Sequence, residues 1–145
     1  MIAWWPNKIK AGTTTHHVAA FWDLLPTFAE VAGQKISTAI DGISFYPTLV
    51  GEGEQQEHEY LYWEFHEQGG KQAVRQGNWK AVKLDVFKSE EPVLELYDLS
   101  KDPGETNNIA NDFPEKAQEL ESLMSSSHIQ NPRFSFYRSE KESSE

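Results

Sequence analysis

Cysteine is absent from this 145-residue chain. Disulfides, Cys-ligated zinc and a thiol nucleophile are thereby excluded from it. The absence leaves the cellular compartment open, because exported proteins also do without cysteine. Positive charge is scarce as well: 13 Lys and Arg stand against 23 Asp and Glu, a net charge of −10. Such a surface repels phosphate backbones and anionic headgroups, so neither nucleic acid nor a membrane surface is an expected partner. Long apolar runs are missing too. Val18 to Trp22 is broken by Asp23, far short of the ~20 residues of a spanning helix. Apolar residues overall reach 38%, below the usual ~45–50%. Aromatics compensate at 12%, with five Trp and eight Phe, so the chain has enough large side chains for one lean core.

The organisation is uneven. Met1-Ile2-Ala3-Trp4-Trp5 is apolar from its first residue and ends at Pro6, without a basic leader or a small-residue cleavage site. It predicts a buried strand. No βαβ alternation follows to build a sheet around it, so its partners are expected to lie outside this sequence. Asp23 is placed to cap a helix running to about Ala32, with Gly33 as its left-handed terminator. Asp41-Gly42 marks a turn, Tyr46 to Leu49 a single helical turn, and Gly51 to Glu59 an acidic loop.

From Tyr60 the period becomes two, with Leu61, Trp63 and Phe65 alternating against Tyr62, Glu64 and His66. That alternation predicts Leu61, Trp63 and Phe65 on the core side. Further strands are predicted over Gln72–Arg75, Trp79–Leu84 and Val93–Tyr97, the first two joined by a tight turn with positive φ at Gly77 and Asn78. Asp102-Pro103-Gly104 is another turn. A last helix starts near Asp112 or Phe113, with Pro114 first and an inward stripe of Ala117, Leu120, Leu123 and Met124, and ends at Ser125 to Ser127. The expected class is α+β: residues 1–50 as the end of an α/β domain (strand plus helix), then 51–130 as a small antiparallel sheet of about four strands packed on a C-terminal helix, and 131–145 as a polar tail, of which the charged, Ser-rich stretch Arg138 to Glu145 is expected to be mobile. There is no internal repeat.

A search for chemistry returns little. His16, His17, His58, His66 and His128 show no metal-ligand spacing, and no H-E-x-x-H pair exists. Glu52, Glu54, Glu57 and Glu59 read as a solvated face. Gly69-Gly70 lacks the Lys and Ser/Thr of a phosphate loop. Glu64 and His66 stand out because they end a strand beside that glycine pair, a setting where loops on a rigid scaffold form the rim of a small-molecule site. A second reading takes Tyr62, Trp63, Phe65 and His66 as an aromatic sugar platform without chemistry, a carbohydrate-binding or interaction module.

Several phrases, in order, resemble the C-terminal part of the type I sulfatases, the formylglycine-dependent, arylsulfatase-like members of the alkaline phosphatase superfamily. They are Ile2-Ala3-Trp4-Trp5-Pro6 with Ile9 to Gly12, Asp23-Leu24-Leu25-Pro26-Thr27 with Ala32-Gly33, and Asp41-Gly42-Ile43-Ser44. Further on come Tyr62-Trp63-Glu64, Gln72 to Lys80, Glu95 to Leu99, Asp102 to Glu105 and Asn107-Asn108. The match covers roughly residues 1–125. It implies hydrolysis of sulfate esters, of a sulfated carbohydrate in the first instance, with a formylglycine and a calcium ion held by Asp and Asn. It implies also a bacterial, periplasmic or extracellular enzyme. None of the catalytic groups is present: no Ser stands two residues before any of the seven prolines, and neither Asp-Asp nor Asp-Asn occurs. No catalytic or metal residue is therefore assigned. The cofactors and the larger sulfatase domain are expected in a preceding region, and the segment alone is expected to be inactive.

Overall fold

The structure, a computed structural model, describes residues 1–131, 133, 135 and 136. It divides into two compact units, Met1–His58 and the chain from Glu59 on. The residues expected to form the charged tail, 138–145, lie outside the described ones.

The second unit is built on period two. Strands β1 (Leu61–Phe65), β2 (Lys71–Gln76), β3 (Trp79–Leu84) and β4 (Val93–Asp98) form one antiparallel sheet in the order β1-β2-β3-β4. Each is joined to the next along the chain, the arrangement that local turns dictate. Between β2 and β3 only Gly77 takes a positive φ, +58°, whereas Asn78 does not. One left-handed residue at the first central position suffices for a hairpin turn that follows the strand twist. Beyond β4, Ile109 N–H donates to the Leu96 carbonyl and Asn108 Oδ1 accepts from Leu96 N–H. That edge is thereby closed to other strands.

The register aligns Tyr62, Val74, Ala81 and Leu96 in a row across the sheet. On this row lies α3 (Pro114–Ser127), through buried Ala117, Leu120 and Met124 with Leu123 half-buried. The helix starts at Pro114 as expected, since a first-turn residue needs no donor, and Glu115 suits the positive end of its dipole. It ends at Ser127, within the expected Ser125 to Ser127. Ser122, Ser125 and Ser127 turn their hydroxyls back to the carbonyls of Gln118, Glu121 and Leu123, so the helix continues through Ser127. The class is α+β, as the strand pattern predicted.

The alternation in β1 holds but its sense is opposite to expectation. Tyr62 packs against the helix-side core, and Glu64, two residues on, shares that face. Phe65 is half-exposed on the other face, where Trp63 also lies. Leu61 is buried as expected, at 4% exposure, but on the face away from α3; Tyr62 suits the helix side because its hydroxyl has polar partners inside that interface.

The first unit has less regular structure. A 3₁₀ turn over Phe21–Asp23 runs into α1 (Leu24–Val31), and a single turn, α2 (Tyr46–Val50), follows. Gly33 takes φ +66°, its N–H donates to Glu30, and the Gln34 N–H reaches the Ala29 carbonyl. This paired closure is the Schellman ending that the glycine predicted. The strand expected over Met1–Trp5 does not form, and Ile2 is 97% exposed and Trp4 84%. An extended segment with no neighbouring strand has no ladder to join.

Candidate functional site

Asp23 does not cap α1 through its side chain. Its carboxylate, 1% exposed, turns the other way. Oδ2 accepts the Ala20 N–H at 2.6 Å, and Oδ1 accepts the Ile43 N–H at 2.9 Å and lies 2.8 Å from His58 Nε2. One turn along, buried Thr27 donates to the Asp23 carbonyl and accepts the Phe45 N–H. The two side chains thus pin residues 43–45 across α1. Gly42 makes the approach possible, because a Cβ there would lie 2.3 Å from the Trp22 carbonyl oxygen. The acidic loop after α2 is also fastened: Gln55 accepts from Thr48 and donates to the Ser44 carbonyl. Most of these polar groups hold backbone, and the Asp23–His58 and Thr48–Gln55 contacts tie side chains to each other, the pattern of a scaffold.

The second concentration of polar and aromatic groups is at the far end of β1. Glu64 and His66 come from the strand end as expected, but the structure separates them. Glu64 lies on the helix face, where Oε1 accepts from the Tyr62 hydroxyl and sits 2.5 Å from His128 Nδ1. Gln72, 1% exposed, donates to that same hydroxyl. Glu64 is therefore an anchor within the sheet–helix interface. His66 stands past the last strand residue, exposed. Its ring meets Phe136 edge-on at 5.1 Å and 87°, and Phe87 at 6.2 Å. Tyr62, on the core side, is turned away from Trp63 and Phe65, so the four residues of the aromatic-platform reading do not share one face.

The glycine pair has a geometric reason. Gly69 and Gly70 have φ of +96° and +79°. A Cβ on Gly70 would come within 2.8 Å of the Phe87 ring, and one on Gly69 within 2.4 Å of Asp85 Oδ1. The β3–β4 loop is tied down here by Phe87 N–H donating to the Gly69 carbonyl and Val86 N–H to that of Gly70. Only residues without side chains allow the two loops to lie so close. Sequence reading missed three participants, His58, His128 and Phe136. The first two find their carboxylates 35 and 64 residues away, and Phe136 lies in the stretch read as polar tail, so no local spacing pointed to them.

A shallow cavity of about 190 Å³ lies among Asp98, Lys101, Asp102, Asn107, Ile109 and Phe113. Its acids are committed: Asp98 is held below the usual carboxylate range by Ser100 and Lys101, and Asp102 by Asn107 and Thr106. Among the described residues no group of three or more His, Asp or Glu side chains could hold a metal ion. No chemical step is derived through a metal ion. No helix of the described residues is long and apolar enough to cross a membrane.

Comparison with known proteins places these features in a family. Human arylsulfatase A is 35% identical over 147 residues, covering 84% of this chain and 29% of its own length. The N-acetylglucosamine-6-O-sulfatase of Bacteroides thetaiotaomicron is 30% identical, covering 86% and 24%. Among solved structures, one in complex with its substrate D-glucosamine-2-N,6-O-disulfate superposes with a TM-score of 0.68 at 28% identity, covering 85% of this chain and 26% of that one. The chain thus spans about a quarter of the length of these relatives. The family profile described as N-sulphoglucosamine sulphohydrolase, C-terminal, matches residues 1–131. With that match over nearly its whole length, the chain belongs to the C-terminal family of the sulfatases.

Proposed function

We propose that this chain serves as the C-terminal part of a sulfatase that hydrolyses sulfate esters of a sulfated carbohydrate, completing the fold and the substrate rim while a preceding domain supplies formylglycine, calcium and the sulfate-binding groups. The observation that carries the reading is the family match over residues 1–131 to a segment that makes up about a quarter of its relatives. Two relatives named for sulfated sugars, the N-acetylglucosamine-6-O-sulfatase and a Δ4,5-hexuronate-2-O-sulfatase, support the substrate class. The surface of the first unit supports the partner. Phe21, Leu25 and Phe28 form an outward apolar stripe at 89%, 60% and 62% exposure. Ile2 and Trp4 are exposed as well, and large apolar side chains grouped at a surface mark interaction sites. A catalytic α/β domain is the partner that would cover them.

Two measurements test this. The purified chain, given a chromogenic aryl sulfate and calcium, should show no turnover, and calcium-dependent hydrolysis by it would overturn the assignment of the chemistry to another region. In a complete enzyme carrying this segment, His66→Ala should lower kcat/KM on a sulfated sugar about tenfold, equal to ~1.4 kcal/mol of transition-state binding. A small aryl sulfate that does not reach the rim should be unaffected. Equal losses on both would make His66 structural.

A further inference from the structure

The three histidines that have neighbours of note are held in two different ways. His58 and His128 each commit a ring nitrogen to a carboxylate, at 2.8 and 2.5 Å. Neither nitrogen of His66 has a hydrogen-bond partner among the described residues, yet its ring is gripped by aromatic contacts with Phe136 and Phe87. An imidazole fixed through its carbon framework, exposed, and with both nitrogens free is oriented for something outside the protein.

What orients it comes from the end of the chain. Phe136 is 1% exposed, packs on Phe87 at 4.9 Å, and presents its ring at right angles to His66. Phe87 is in turn seated directly over Gly70. The β1–β2 turn, Phe87, Phe136 and His66 make one continuous stack, rooted at the end of α3 where His128 holds Glu64. Edge-to-face aromatic contacts are directional, so this stack fixes the ring plane as well as its position. Phe136 also lies beyond the stretch that the family profile matches, 1–131. A residue there can set the rim without any change in the shared segment.

We propose that Phe136 is a positioning residue for specificity: it acts through His66, holding the imidazole in the orientation that meets a hydroxyl or sulfate oxygen of the sugar substrate. The proposal rests on the reading of this chain as part of a carbohydrate sulfatase. In a complete enzyme carrying this segment, Phe136→Leu keeps an apolar side chain but removes the ring edge. It should lower kcat/KM on a sulfated sugar about fivefold, chiefly through KM, and leave a small aryl sulfate unchanged. Phe136→Tyr, which keeps the ring, should restore the wild-type value. The double variant with His66→Ala should be no worse than His66→Ala alone, because both act at one contact. In the 145-residue chain, the His66 ring-proton resonances should move with Phe136→Leu, and those of His16 and His17 should not. Independent, multiplying losses from Phe136→Leu and His66→Ala, equal losses on both substrates, or an unmoved His66 signal would overturn the role of Phe136. If His66→Ala itself has no effect on the sugar substrate, the rim reading falls and Phe136 falls with it. If His66→Ala is effective and Phe136→Leu is silent, only the inference fails.

Discussion

The two units of this chain invert each other's logic. In the unit from Glu59 on, apolar side chains are inside: Val74, Ala81 and Leu96 of the sheet meet Ala117, Leu120 and Met124 of the helix. In Met1–His58 the buried side chains are Asp23, Thr27 and a single aromatic, Phe45, and Phe21, Leu25 and Phe28 are outside. One unit is held by burial of apolar surface and can close on itself. The other is held largely by hydrogen bonds among polar groups around one buried ring, with apolar side chains exposed. Burial is the larger driving force per residue, so the sheet–helix unit should carry most of the stability of the chain.

The largest effect should come from the apolar unit. Leu96 is fully buried on the edge strand β4, against α3. Leu96→Ala should destabilise by about 3 kcal/mol, the lost transfer energy plus the cavity left behind, as read by urea unfolding. A loss below about 1 kcal/mol would mean that this core is looser than its packing indicates.

Slightly smaller, and confined to the other unit, is the effect of Asp23→Ala. It strands the Ala20 and Ile43 N–H groups and the His58 ring at once. Losing a buried acceptor with several donors should cost about 2 kcal/mol. Hydrogen exchange at the Ile43 amide should accelerate while that of Val74 stays protected. If both amides accelerate together, the units unfold as one and the contrast between them fails.

A third effect belongs to pH. Tyr97 is buried and bonds to Glu95, and burial first, then that carboxylate, pushes its hydroxyl up to about 12 from 10.0. Between those values the unfolded chain has lost the proton and the native chain still holds it. The native state therefore binds more protons, and stability present below pH 10 falls as pH rises towards 12. The wild type should lose on the order of 2 kcal/mol relative to Tyr97→Phe over that interval. Parallel pH profiles for the two proteins would show that the hydroxyl titrates unperturbed.

The sheet–helix unit was legible in the sequence because its signals are local. Period two marks each strand, Gly77 marks the hairpin, and Pro114 with the Ala117–Met124 stripe marks the helix, each within a few residues of what it determines. Which face of β1 meets the helix was not legible, since Leu61, Trp63 and Phe65 are as apolar as a core row should be and Leu61 is indeed buried. Tyr62 was preferred because Gln72 and Glu64 await its hydroxyl, and that depends on strand register. The polar scaffold of the first unit was hidden for a related reason: Asp23 has a capping position by sequence, and only the folded chain shows Ile43 and His58 converging on it. At the candidate rim, the glycine pair and His66 were visible as a strand end. Their partner Phe136 was not, because it reaches them from 70 residues along the chain.

The smallest effect is the sharpest test of the inversion. Phe28 lies on α1 and is 62% exposed, so in the 145-residue chain it has little apolar contact to lose. Phe28→Ser should change the unfolding free energy by no more than about 0.5 kcal/mol, the ordinary range for a surface site. The same substitution in a complete sulfatase should behave like a core truncation if the stripe is covered there, costing about 3 kcal/mol. The difference between the two backgrounds measures the contact itself, free of any intrinsic preference of Ser or Phe for the helix, since that preference is common to both. Equal and small effects in both would leave the stripe uncovered and the partner assignment wrong. A large effect already in the 145-residue chain would mean that Phe28 is buried within it, and that the first unit is held by the same apolar force as the second.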